Sequence, residues 1–147
     1  MKSLFNPDIQ NEIENRIESL SKNSLPIWGK MDISQMLHHC QFPLKIALKK
    51  DSPKIKSNFF AKLLFKKSMY NDKLWKKNIP TLSKLKVTDQ KDFDTEKEVL
   101  LSLVTSFSNQ RDREEWNDHP LFGKFTTDQW GKMQYKHLDH HLRQFNA

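Results

Sequence analysis

Four stretches of the chain carry apolar residues at helical spacing, and each follows a residue suited to cap a helix. The first begins at Asn6-Pro7 and runs Ile9, Ile13, Ile17 and Leu20. Asn is a favoured N-cap and Pro suits the first helical position, where its missing amide costs nothing. In the second, Asp32 and Gln35 form a capping-box pattern ahead of a face made of Ile33, Met36, Leu37, Cys40, Leu44 and Leu48. In the third, Thr95 and Glu98 read as the next such box, before Val99, Leu100, Leu103, Val104 and Phe107. Thr126 and Gln129 cap the last, whose Trp130, Met133, His137, His141 and Phe145 share one face.

Four amphipathic helices need one another to bury those faces. The expected fold is therefore an all-α four-helix bundle, one domain over residues 1–147, with a long connection after the second helix. Only 3 Gly occur, and no GxGxxG or P-loop pattern is present, which argues against a glycine-rich phosphate loop and against a β-sandwich. Residues 22–26 should end the first helix, and Pro43 should kink the second by removing the amide that would reach the His39 carbonyl. Residues 57–70 suggest a short helix, Pro80 an extended segment, and residues 81–92 no regular structure. Residues 119–123, His-Pro-Leu-Phe-Gly, read as a turn that packs Leu121 and Phe122 inward.

The charge is uneven. The net value is +7, yet residues 45–86 alone hold 13 Lys against Asp51 and Asp72. A non-catalytic helical module that binds anionic partners through this Lys-rich segment is one reading. Against nucleic acid stand the absence of Arg from the segment and of any helix-turn-helix or zinc-finger pattern. A solvated lysine surface is the simpler explanation. No stretch approaches transmembrane length and the start lacks a signal-peptide core, so a cytoplasmic protein without a membrane partner is expected. The lone Cys40 forms no internal disulfide and reads as a small buried hydrophobe. Trp75 and Trp116, in polar stretches, suggest exposed aromatics at a homodimer interface.

The chemistry is carried by histidines. His137 and His141 are four apart on a helix, so their imidazoles project side by side from the face that turns to the core. Imidazoles buried together need partners, and a shared cation would satisfy both. Two such rings near a helix end could also simply pack there, favoured by the dipole when charged. A second His pair, His38-His39, lies on the second helix, and the two point about 100° apart. His39 lies at the edge of the Met36–Cys40 stripe and is the favoured third ligand. Three imidazoles leave coordination positions open, as in a reactive site. The donor set admits a divalent metal, with zinc or nickel foremost and iron, cobalt, copper and manganese chemically compatible. His140 and Gln144 stand as outer partners of the ligands, and Asp139 as a further one or as an exposed residue. His119, before Pro120, reads as a turn residue.

These residues resemble the DinB/YfiT-like superfamily of metalloenzymes. One carried element is Met36-Leu-His-His39-Cys40; the other is His137-Leu-Asp-His140-His141-Leu-Arg-Gln144, close to the pattern HxxHHxxQ. Residues 119–123 and Arg143-Gln-Phe145 resemble an uncharacterised branch of it, a domain of unknown function. The resemblance spans about residues 28–145 and implies a DinB-like bundle with a divalent metal held by His39, His137 and His141. It further implies a metal-dependent enzyme acting on a small-molecule substrate. That is a thiol-dependent S-transferase, in which the metal activates a low-molecular-weight thiol, or a hydrolase.

Overall fold

The computed structural model describes residues 1–49, 65–79 and 85–147. Among them are four α-helices and no strand: α1 Pro7–Glu18, α2 Ile33–Ala47, α3 Phe93–Ser108 and α4 Thr127–Gln144. Each start has a chemical cause. The Asn6 side chain accepts from the amides of Asp8 and Ile9 at 2.9 and 3.4 Å, satisfying donors that a first turn leaves open. Asp32 and Gln35 close a reciprocal box, at 2.8 and 3.1 Å, and Thr126 and Gln129 do the same for α4.

The third helix begins earlier than the Thr95–Glu98 pattern predicts. Asp92 is its N-cap, and its carboxylate accepts from the Thr95 amide at 2.9 Å and the Thr95 hydroxyl at 2.6 Å. An anionic cap also opposes the positive end of the helix dipole, an advantage a threonine lacks. Similarly, α1 ends at Glu18, short of residues 22–26, although Leu20 still turns into the core.

Helices α1 and α2 each pack against both α3 and α4, which makes the four-helix bundle. Ile13 and Ile17 of α1, Met36, Leu37 and Leu44 of α2, Leu100, Val104 and Phe107 of α3, and Trp130, Leu138 and Leu142 of α4 are buried in one core. Arg16 donates to Asp139 at 2.8 Å and so ties α1 to α4. Pro43 lies inside α2 as predicted, and its carbonyl accepts from the Gln134 amide of α4 at 2.9 Å.

The long connection between α2 and α3 is present. The predicted helix over residues 57–70 falls mostly outside the described residues; its described end, Lys66–Met69, is 3-10 helix. Of residues 81–92, expected to lack regular structure, 81–84 lie outside the described residues, Leu85 is in 3-10 conformation, and 86–92 have none. The connection is held to α4 by Lys136, a buried ammonium that donates to the carbonyls of Ser68 and Asn71 at 2.7 and 2.8 Å.

The two tryptophans expected at the surface both pack within the chain. Trp116 lies against Phe5, Phe107 and Trp130 and donates to the Arg113 carbonyl and the Thr127 hydroxyl, at 3.0 Å each. Trp75 donates to the Ser68 carbonyl at 2.9 Å. A polar neighbourhood in sequence conceals a polar indole nitrogen that finds carbonyls inside the fold. No helix among the described residues is long and apolar enough to cross a membrane.

Candidate metal centre

Helix α2 supplies His39, and α4 supplies His137 and His141 one turn apart; all three side chains are buried. Their ring centroids are 4.8 to 5.2 Å apart pairwise. Each offers a nitrogen lying within 4.8 Å of the others, and the Nε2 atoms of His39 and His137 are 3.3 Å apart. The amphipathic period of α4 causes this: residues 130, 133, 137 and 141 share one buried stripe.

Hydrogen bonds at the outer nitrogens fix two of the tautomers. His39 Nδ1 lies 3.1 Å from the Leu85 carbonyl, which only accepts, so that nitrogen carries the proton. His141 Nδ1 donates to Gln144 Oε1 at 2.9 Å, while the other end of that amide donates to the Trp28 carbonyl at 2.7 Å. In both rings Nε2 is left as a lone pair. Such outer-shell bonds orient metal-binding histidines. His137 Nδ1 is buried with no partner among the described residues.

Burial favours the neutral form of each ring. It lowers the pKa of His39, takes that of His141 down to about 3, and sets that of His137 well below its ordinary value; neighbouring imidazoles add to each effect. Three neutral imidazoles near pH 7 are ready ligands and cost no proton release.

The donor set fits a divalent ion. Tetrahedral bonds of about 2.0–2.1 Å put ligand nitrogens roughly 3.3 Å apart, and the His39–His137 spacing is 3.3 Å. His39 and His141 both present lone pairs at Nε2 and only His137 can bring a proton there, so the three rings cannot all satisfy one another. Such a cluster is better completed by a cation than by its own members.

The remaining predicted residues divide. Gln144 is buried and bonds the outer nitrogen of His141, as its spacing suggested. His140 stands beside His141, ring centroids 5.1 Å apart, and also packs against Trp28 at 5.8 Å and Trp75 at 5.6 Å. Asp139 is neither an outer partner of a ligand nor exposed, because its carboxylate is taken by Arg16. His38 bonds Glu96 at 2.9 Å rather than joining His39. His119 is a turn residue: its Nδ1 accepts from the amides of Leu121 and Phe122 at 3.2 and 3.3 Å, and burial drops its pKa to about 4. Cys40 is buried against Met36, and burial pushes its thiol pKa up. Much of the Lys-rich stretch lies outside the described residues. Within them, Lys77 sits over the Trp28 ring and Lys66 over Phe125.

Four residues contribute in ways that escaped sequence reasoning. The carbonyls of Leu85 and Trp28 carry no side-chain signature. Trp75 reaches the centre from the connection, with its ring 6.1 Å from that of His137. Gly29 was visible, but its reason was not. Its φ is +84°, and a Cβ there would meet Gln144 Nε2 at 2.5 Å. Beside His141 and Gln144 opens a cleft of about 540 Å³, which gives the buried centre a side where a small molecule fits.

No curated protein and no solved structure matches the chain. One family model does, over residues 2–147, nearly the whole length. The chain, with its bundle and its buried imidazole cluster, therefore belongs to the family described as protein of unknown function, DUF1569.

Proposed function

We propose that this protein is a divalent-metal-dependent enzyme of DinB-like type, with zinc or nickel held by His39, His137 and His141. The observation that carries the reading is the convergence of three buried, neutral imidazoles from two helices, two of them oriented by outer hydrogen bonds. The chemistry such an ion supplies when bound is the acidification of a thiol or a water near neutral pH.

The chain's own residues serve that chemistry in separable ways. Leu85 and Gln144 hold the tautomers of His39 and His141. Trp75 packs against His137, and Trp28 walls the cleft where a substrate would enter. With three protein ligands, positions stay open for that substrate. Transfer of a low-molecular-weight thiol to an electrophile is the first reaction to assay, by analogy with the DinB-like enzymes; hydrolysis is the second. Metal content decides the matter. The purified full chain should carry close to one equivalent of metal and consume thiol with a reactive epoxide or halide, and His137→Ala should abolish both. Stoichiometric metal retained unchanged in His137→Ala would refute the ligand set.

A further inference from the structure

The cleft beside the imidazoles has mostly apolar walls and charges of one sign. Trp28 and Met31 come from the segment before α2, and Ile79, Leu85 and Val87 from the connection before α3. Among the described lining residues the ionised groups are Lys30 and Lys86, one from each segment, and no carboxylate is present. Both lysines are exposed to solvent. With no carboxylate among the described lining residues, the two ammonium groups set the field in the cleft.

Both segments are also bonded to the imidazole cluster. The Leu85 carbonyl holds His39, and the Trp28 carbonyl holds the amide of Gln144 that orients His141. An occupant of the cleft therefore lies against the backbone that positions two of the three rings. Apolar walls supply affinity by burying surface, and a few placed charges orient what they bury.

We infer that this cleft binds an organic monoanion, its apolar body against Met31, Ile79 and Val87 and its carboxylate or sulfonate held by Lys30 and Lys86. The inference rests on the metal-enzyme reading for its catalytic meaning, but binding itself needs no ion.

The test uses chelator-treated full chain and two fluorescent probes with the same ring systems, anionic 1-anilinonaphthalene-8-sulfonate and neutral N-phenyl-1-naphthylamine. The anion should bind more tightly. The double variant Lys30→Gln/Lys86→Gln should raise its Kd about tenfold and leave the neutral probe within about twofold, since two partly exposed charge contacts are being removed. Met31→Trp, which fills the cleft, should weaken both probes. Equal binding of the two probes, or an anion preference indifferent to the double variant, would overturn the inference, as would binding unaffected by Met31→Trp. Metal analysis of the same protein separates the two claims. Anion preference in a chain that never takes up metal refutes only the metal centre, and metal uptake without anion preference refutes only the cleft assignment.

Discussion

Gly29 and Gln144 occupy the same corner of the structure, so close that any side chain at residue 29 would displace the amide that holds His141. Gly29→Ala should therefore act twice. The positive φ strains the backbone, and the new Cβ meets Gln144 Nε2 at 2.5 Å. A loss of about 1–2 kcal/mol of stability is expected. A metal affinity lowered by roughly tenfold to a hundredfold should accompany it, because His141 loses its outer bond. Calorimetric unfolding and metal titration of the same variant check both effects.

Gln144→Met removes the amide while keeping the side chain's length and apolar stem. Metal affinity should fall roughly tenfold to a hundredfold, with the bundle still folded. Competition with a chelator of known affinity reads this directly, and an unchanged affinity would show that the His141–Gln144 bond is incidental to metal binding.

Glu96 offers a control on stability away from the cluster. Its carboxylate accepts from His38 at 2.9 Å and from the buried Gln41 amide at 2.6 Å, joining α2 to α3. Glu96→Leu removes the acceptor of His38 and leaves the Gln41 amide only the residue 96 carbonyl at 3.3 Å, and should cost about 1–3 kcal/mol. Urea unfolding measures that cost, and the metal stoichiometry should not change.

The acid limb of stability should carry the signature of His119. Its pKa falls from the ordinary 6.5 to about 4 on burial. Below pH 6.5 the unfolded chain takes up a proton there that the folded chain refuses. Stability therefore falls with pH down to about 4 and gains nothing from this group above 6.5. The contribution is on the order of 3 kcal/mol at the bottom of that window. In chelator-treated protein, His119→Asn should make the dependence shallower by that share, because an Asn oxygen can still accept from the two turn amides but does not titrate. The buried His39, His137 and His141 still contribute in the same direction. Urea midpoints between pH 4 and 7.5 decide it.

What was legible in the sequence follows from what leaves a periodic trace. Ile13, Ile17, Met133 and His137 fall on stripes because a helix repeats its faces, so the bundle and the facing imidazoles were readable from spacing. Asp92 was overlooked because Thr95, three residues on, is also a good cap and only the structure shows which one accepts. The partner of Asp139 lies 123 residues away at Arg16, beyond any local pattern. The carbonyls of Leu85 and Trp28 belong to the backbone, which every residue possesses, so no residue type announces them. Trp75 and Trp116 misled for a related reason: their charged neighbours suggested solvent, while their indole nitrogens had carbonyls to meet.

X-ray absorption at the zinc edge, on full chain loaded with one equivalent of zinc, looks at the ligands themselves. Three imidazoles bonded at about 2.0–2.1 Å, with one or more light atoms completing the sphere, is the spectrum expected. A zinc ion seen with one imidazole or none would contradict a centre built by residues 39, 137 and 141.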